Sequence, residues 1–188
     1  EKLEEALQII IPMLRSQSPT LNGKYYAVKD AINSPAPIAQ IPIMIGGQGE
    51  KKTLRMVAQY ADESNLVGDN AAIPRKLQAI EKHCENLGRD RSEIVVTKLQ
   101  MIAIAPTQEE LEADFRAIAT TKGWSQAQVD GAKAALITGD PDTVGEILQD
   151  AVAHGLDGLT VDLPINGHNT ERIELLAEVV DKILPRNP

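Results

Sequence analysis

An alternation of short apolar strands with amphipathic helices is the feature that most limits the fold of this chain. Strand candidates begin near residues 42, 63, 94 and 157, and a helical stripe follows each of them. The strongest strand candidate is SEIVVTKLQMIAIA at 92–105. Parallel strands need long crossover connections, which are usually helices. The alternation therefore predicts an α/β fold with a parallel sheet.

Several helix boundaries are marked by local signals. Thr107 lies three residues before Glu110, and Ser125 lies three residues before Gln128, the spacing of a capping box. The dipeptide at 140–141, Asp then Pro, predicts a helix start. We predict helices at 2–15, from about 50, at 73–87, at 107–121, from 125, at 141–153 and at 170–184. The proline-rich segment 16–41 is interpreted as an ordered excursion, with a short hairpin as one form of it.

Composition and charge limit the class of partner. The 188 residues carry a formal charge of -8, which disfavours nucleic acid because phosphate binding needs a basic surface. No apolar run reaches membrane-spanning length, so no membrane partner is predicted. Cys84 is the only cysteine, which favours a reducing, cytoplasmic compartment. The first residue, Glu1, lies inside a helical pattern, so we expect a piece of a longer protein.

One glycine-rich segment is the main candidate for a binding site. PIMIGGQGEKKTLRM at 42–56 runs from an apolar strand through Gly46, Gly47 and Gly49 into a helix. Glycines at such a turn allow a phosphate to approach the backbone, and the helix N-terminus adds partial positive charge. The pattern matches neither G-x-G-x-x-G nor a Walker loop. From the spacing alone, a phosphate seat and a simple tight turn both remain open.

Other polar residues have weaker claims to function. Lys98 and Gln100 lie on one side of the long strand, and a strand lysine can form a Schiff base. We prefer the interpretation that the Lys98 ammonium reaches solvent or pairs with a carboxylate. Asn65 is a candidate for facing a cofactor. His168 is a candidate because it lies in the loop after the last strand, although the histidines have no metal-ligand spacing.

Three segments together resemble a known family. NGKYYAV, IPIMIGGQGEKKTLRMVAQYADESN and GDPDTVGEILQDAVAHGLDGLTVDLP are similar to the luciferase-like monooxygenase superfamily, and most of all to its branch that uses coenzyme F420. The resemblance implies a TIM barrel, which in this family has about 300 residues. This chain resembles only the C-terminal portion, a half-barrel that holds strands five to eight. It is expected to be a single domain over 1–188.

The resemblance also implies a site and an activity. The cofactor phosphate is expected at Gly46, Gly47, Gln48 and Gly49, with the Thr53 hydroxyl in support. The cofactor is coenzyme F420 or, alternatively, FMN. The full-length enzyme is expected to transfer hydride to or from a small organic molecule. No catalytic residue is carried over, because most substrate contacts of the family lie in the first four strands.

A half-barrel has a structural consequence. Four parallel strands cannot close by themselves, so open edges and an incomplete interior favour self-association as a homo-oligomer. The alternative function is a stand-alone, non-catalytic half-barrel that binds a phosphorylated ligand or serves in assembly.

Overall fold

The structure of the chain is a computed structural model, which describes residues 1–184. Within that range, helices and short strands alternate for most of the sequence. The helices are α1 Lys2–Leu14, α2 Thr53–Tyr60, α3 Ile73–Leu87, α4 Gln108–Lys122, α5 Gln126–Ala135, α6 Pro141–Ala153 and α7 Thr170–Ile183. The strands are β1 Leu21–Asn22, β2 Ala27–Val28, β3 Met44–Gly46, β4 Glu63–Leu66, β5 Val95–Ile104, β6 Ile137–Gly139 and β7 Gly158–Asp162.

The chain divides into two compact units. Unit 1 contains Glu1–Ser64 and Ala79–Ile94, and unit 2 contains Asn65–Gln78 and the chain from Val95 onward. Within unit 2, β5 pairs with both β6 and β7. The α/β class predicted from the alternation is confirmed.

Unit 1 contains the glycine-rich segment. Helix α2 buries Leu54 and Val57 completely, and α3 buries Ile80 and Cys84. The excursion between α1 and β3 includes a real hairpin, in which β1 and β2 pair antiparallel. The Glu5 carboxylate fixes the hairpin turn by accepting hydrogen bonds from the backbone N–H groups of residues 24, 25 and 26.

Strand β5 is the centre of unit 2. It pairs in parallel with β7 from Thr97↔Gly158 to Met101↔Asp162. Further along, it pairs in parallel with β6 from Ile102↔Ile137 to Ile104↔Gly139. The ten residues of β5 are long enough for two partners to follow one another along its length.

The hydrophobic core of unit 2 has two clusters, both of which include residues from the end of β5. One cluster joins β5 to α6 and α7 through Ile102, Ile104, Val144, Leu148, Leu176 and Val179. The other joins β5 to α4, α5 and the loop after β7 through Ala103, Ala105, Leu111, Phe115, Val129 and Ile165. Trp124 packs against the second cluster. These contacts bury most of the apolar surface that stabilises the unit.

The two faces of β5 are not equally covered. On one face, Val96 and Ile102 are buried, and on the other Val95 and Met101 are exposed. A strand presents alternate residues to opposite faces. One face of β5 is therefore buried along its length, while the other is exposed at Val95 and Met101 and buried at Ala103.

The cap signals of the sequence correspond to real helix ends. The Thr107 hydroxyl accepts from the Glu110 backbone N–H, and the Asp140 carboxylate accepts from the Thr143 N–H. Gly88 has φ +66° immediately after α3, as expected for a glycine at a helix C-terminus. The predicted helices are therefore confirmed to within a few residues.

The strand prediction was incomplete. It placed the first sheet strand at 42–45, whereas β3 is Met44–Gly46, because Pro42 has no N–H group to donate to a ladder. It also missed β6, a segment of three residues before α6. Such a short segment shows no periodicity, and only its pairing with β5 makes it a strand. Among residues 1–184, no helix is long and apolar enough to cross a membrane.

Candidate functional site

The glycine loop after β3 has a backbone conformation that favours glycine. Gly46 is the last residue of the strand, and Gly47 has φ +138°, a region that residues with a Cβ rarely adopt. Gly46, Gln48 and Gly49 are exposed, and Gly47 is half-buried. The loop therefore exposes backbone without side chains at Gly46 and Gly49, next to the exposed Gln48.

Thr53 lies against this loop. A Cβ atom added at Gly47 would lie 3.0 Å from Thr53 Cγ2, and one added at Gly49 would lie 3.1 Å from Thr53 Oγ1. Both distances are shorter than comfortable van der Waals contact. The sequence-predicted residues of the loop and Thr53 are thus brought together, and side chains at positions 47 and 49 would displace Thr53.

The N-terminus of α2 follows the loop directly. The Gly49 carbonyl accepts a hydrogen bond from the Leu54 N–H at 3.0 Å. Lys52 occupies the N-cap position and makes no side-chain capping hydrogen bond within the described residues. The first N–H groups of a helix carry partial positive charge, and the exposed Lys51 and Lys52 add to it. A glycine loop at such a helix start is a general arrangement for holding an anion.

His83 fixes the loop from α3. Its Nε2 lies 2.8 Å from the Glu50 carbonyl oxygen. Because a carbonyl oxygen can only accept, the Nε2–H tautomer donates. The sequence indicated only that the histidines lack metal-ligand spacing, and Glu50 lies 33 positions before His83. No local signal could have linked them.

Asn65, the candidate for facing a cofactor, bridges the strands of unit 2. Its Nδ2 donates to Thr97 Oγ1 and to Thr160 Oγ1, each at 2.8 Å. Both N–H bonds of the amide are therefore used within the sheet. Asn65 aligns β4, β5 and β7 on the face that also carries Met101.

The preferred interpretation of Lys98 was wrong. Lys98 is 5% exposed and Gln100 is 2% exposed, so the Lys98 side chain does not extend into bulk solvent. Lys98 Nζ donates to Gln100 Oε1 at 3.0 Å, and no carboxylate within residues 1–184 forms an ion pair with it. Burial lowers the pKa of Lys98, because desolvation disfavours the charged form. The sequence could not show this, since strand alternation does not state which face is covered.

A second buried cation in unit 2, Arg172, has two carboxylate partners. Arg172 donates from Nε to Asp114 Oδ2 and from Nη2 to Glu110 Oε2, each at 2.9 Å. Asn166 also donates to Asp114, at 2.8 Å, and to the Ile104 carbonyl oxygen, at 2.9 Å. This network ties α4, the loop after β7 and α7 together. Sequence reasoning missed it.

The remaining candidates stay separate. His168 is exposed in the loop between β7 and α7. Burial raises the pKa of the Cys84 thiol, which favours its unreactive neutral form. Among residues 1–184, no group of three or more His, Cys, Asp and Glu side chains is placed to hold a metal ion.

The chain matches a known family of proteins. The family model for luciferase-like monooxygenases matches residues 1–158. The chain is therefore a member of the luciferase-like monooxygenase family, as the sequence motifs indicated. No match was found among curated proteins.

Solved structures give the same assignment of fold. The chain is similar to the coenzyme F420-dependent tetrahydromethanopterin reductase from Methanopyrus kandleri, with a TM-score of 0.72 and 19% identity over 96% of this chain and 62% of that one. It is similar to an F420-dependent secondary alcohol dehydrogenase in complex with an F420–acetone adduct, with a TM-score of 0.72 and 16% identity over 97% and 61% of the two chains.

A flavoprotein is also similar. The oxygenating constituent of 3,6-diketocamphane monooxygenase from Pseudomonas putida, in complex with FMN, has a TM-score of 0.61 and 17% identity over 99% of this chain and 64% of that one. In each comparison, the chain spans less than two thirds of the length of the structure that it matches. The similarity concerns the fold, a mostly parallel α/β arrangement similar to that of luciferase-like TIM barrels.

Proposed function

We propose that the chain is the C-terminal part of an F420- or flavin-dependent oxidoreductase, and that its glycine loop holds the cofactor phosphate. Membership of the luciferase-like monooxygenase family supports this class of enzyme. Similar structures use F420 or contain FMN. The observation that carries the proposal for the loop is Gly47, which has φ +138° and no side chain and lies next to Thr53.

Each residue of the loop has a specific role in this proposal. Gly46 and Gly47 allow the phosphate to approach the backbone, since neither has a Cβ. Gln48 and Gly49 continue the loop toward α2, and the Thr53 hydroxyl is available as a further donor. The N-terminus of α2 and the exposed Lys51 and Lys52 offset the negative charge of the phosphate. The available groups therefore fit the phosphate of F420 or FMN.

The reactive part of the enzyme lies elsewhere in this proposal. When bound, the deazaflavin or flavin would accept or donate the hydride that is exchanged with a small organic substrate. This chain contributes binding of the phosphate and has no assigned catalytic residue. Its own part in the reaction is to fix the position of the cofactor.

The half-barrel arrangement is part of the same proposal. The chain spans about three fifths of the F420-dependent structures, 62% of one and 61% of the other. The exposed Val95 and Met101 on one face of β5 are consistent with a barrel interior that further strands would cover. The isolated chain is expected to form homo-oligomers. A monomeric mass in light scattering at high protein concentration would contradict that.

The experiment that tests the loop is a fluorescence titration of the chain with F420, FMN and riboflavin. Riboflavin has the ring system of FMN without the phosphate. We expect F420 or FMN to bind, and FMN to bind about tenfold or more tightly than riboflavin, the effect of losing charge-assisted hydrogen bonds. Equal affinity for FMN and riboflavin would exclude a phosphate site in the loop.

Variants locate the binding. Gly47→Ala is expected to weaken binding of the phosphorylated cofactor about tenfold or more, since its Cβ meets both the ligand and Thr53. Gly47→Ala/Thr53→Ser removes the Thr53 methyl group, so any recovery measures the clash between positions 47 and 53. Gly123→Ala is the matched control, because Gly123 also has positive φ but has no heavy atom within 4 Å of an added Cβ.

A comparison of AMP with FMN distinguishes the two classes of function. A non-catalytic half-barrel that binds any phosphorylated ligand would bind AMP and FMN with similar affinity, and inorganic phosphate would compete equally against both. Selective binding of F420 or FMN supports the oxidoreductase class.

A further inference from the structure

Unit 2 contains a cavity that the proposed cofactor loop does not use. Its volume is about 660 Å³, within the range of small-molecule sites. Four segments line it: the loop 67–71 after β4, residues 98–101 of β5, the turn 134–137 from α5 into β6, and one side of α6. All four belong to unit 2.

Two buried polar side chains face this cavity. Lys98 and Gln100 line it and are 5% and 2% exposed. The Lys98 ammonium donates to Gln100 Oε1. Gln100 Nε2 has no hydrogen-bond partner among residues 1–184. A buried amide that lacks a partner costs free energy, roughly 1–3 kcal/mol. A ligand with an acceptor oxygen would satisfy it.

The charge of Lys98 points to an anionic ligand. Burial lowers the pKa of Lys98, the like charge of Lys76 lowers it further, and the Asp69 carboxylate raises it. Asp69 forms no ion pair with Lys98 within the described residues. An anion beside Lys98 Nζ would offset the cost of burying that charge.

The walls and rim limit the kind of anion. Apolar residues make up much of the lining: Leu99, Met101, Leu136, Ile137 and Ile147. The polar remainder includes Asp69, Asn70, Asp150 and His154. Asn70 Nδ2 donates to Asp150 Oδ2 at 3.1 Å and to the Ile147 carbonyl oxygen at 3.2 Å, which joins the loop to α6. The Asp69 and Asp150 carboxylates in the lining disfavour a doubly charged phosphate.

We propose that this cavity binds a small organic monocarboxylate with an apolar body. One carboxylate oxygen accepts from Lys98 Nζ and the other from Gln100 Nε2, and the apolar body contacts the wall. Binding is non-covalent, and the proposal does not depend on the function of the glycine loop.

The chain carries its own reporter for this site. It has four methionines, at positions 13, 44, 56 and 101, and Met101 lines the cavity while the other three lie in unit 1. In a ¹³C-methyl methionine NMR titration, octanoate is expected to shift the Met101 resonance saturably and to leave the other three unchanged. Octan-1-ol, which has no carboxylate, is expected to bind about tenfold or more weakly. Octyl phosphate is also expected to bind more weakly than octanoate.

Two variants and one control complete the experiment. Lys98→Leu and Gln100→Leu are each expected to weaken octanoate binding about tenfold or more. Gln108→Leu, an exposed glutamine of α4, is expected to change nothing. The methyl resonances of the three distant methionines report in the same spectra that each variant is folded.

Several results would overturn the proposal. Absence of a saturable Met101 shift with octanoate would exclude the site. Equal affinity for octanoate and octanol, or unchanged octanoate affinity in Lys98→Leu, would show that the carboxylate is not recognised. Because binding should favour protonated Lys98, affinity is also expected to fall as pH rises through the lowered pKa of Lys98. Asp69, Lys76, Asp150 and His154 are the other charged or titratable groups near the site.

Discussion

Two buried cations in unit 2 differ in what surrounds them. Arg172 and Lys98 are each 5% exposed. Arg172 has two carboxylate partners, Asp114 and Glu110, both at 2.9 Å. Lys98 has one neutral partner, the Gln100 amide oxygen, at 3.0 Å. Equal burial therefore has opposite electrostatic results: hydrogen bonds from Arg172 to the carboxylates raise its pKa, and desolvation lowers that of Lys98.

The difference separates a structural charge from one that a ligand could satisfy. The Arg172 guanidinium donates in two directions and ties α4 to α7, so its charge is compensated inside the fold. No carboxylate accepts a hydrogen bond from Lys98 within the described residues, so its charge is not compensated in this way. The Nε2 group of its neighbour Gln100 has no hydrogen-bond partner there either. Buried ionisable groups with strongly perturbed pKa values are found most often at functional sites.

Removal of Arg172 is expected to have the largest effect on stability. Arg172→Ala would leave the mostly buried Asp114 carboxylate without its cation, which costs about 3 kcal/mol of the free energy of unfolding. Urea denaturation followed by circular dichroism measures this loss. Arg172→Lys keeps the charge without the planar fork and should lose less. If Arg172→Ala lowered stability no more than Arg172→Lys, the fork geometry and the carboxylate pair would not matter.

Removal of the polar groups of both Lys98 and Gln100 is expected to raise the stability rather than lower it. Lys98→Leu/Gln100→Leu replaces two buried polar groups of similar size by apolar ones, and should raise the free energy of unfolding at neutral pH by about 1 kcal/mol. The same denaturation experiment applies. A loss of stability in the double variant would mean that the pair holds the sheet together as Arg172 does.

The pH dependence sharpens the same comparison. The folded-state pKa of Lys98 lies below its unfolded value of about 10.4. Between the two values the unfolded chain binds more protons, so the stability of the native chain rises with pH. The advantage of Lys98→Leu/Gln100→Leu should therefore shrink as the pH approaches about 10. An advantage that stays constant from neutral to alkaline pH would contradict a buried, titrating Lys98.

The smallest expected effect concerns His83, a half-buried group with a single carbonyl partner. His83→Ala removes the hydrogen bond to the Glu50 carbonyl and should weaken F420 or FMN binding about fivefold, the value of one hydrogen bond of about 1 kcal/mol. Asn86→Ala, at an exposed position of the same helix, is the control. Equal affinities of the two variants for the cofactor would show that the His83 hydrogen bond does not support the loop conformation.

Local patterns predicted most of the fold. Thr107 and Asp140 cap helices in the structure as their spacing implied, because a cap depends on residues three positions apart. Strand β6 was missed, since a three-residue strand exists only through its register with β5. The first sheet strand was shifted for a local reason, the missing N–H of Pro42.

The glycine loop and the cavity differ in how far apart their residues lie in the sequence. Gly46, Gly47, Gln48, Gly49 and Thr53 are neighbours in sequence, so the loop could be found and tied to a family before its geometry was known. The Lys98 cavity is assembled from segments near residues 70, 100, 136 and 150. No sequence spacing indicates that these segments meet.

The sequence by itself determined the alternation of strands and helices apart from β6, the helix caps, the glycine loop and membership of the family. These depend on chemistry within a few residues of each position, or on motifs read in order. Only the tertiary structure decided that Lys98 is buried and Arg172 is paired, and that His83 holds the Glu50 carbonyl. Each of these depends on packing, which determines the distant side chains that a residue contacts and how far it is shielded from solvent. Burial also changes the energy of an electrostatic interaction far more than position in the sequence does.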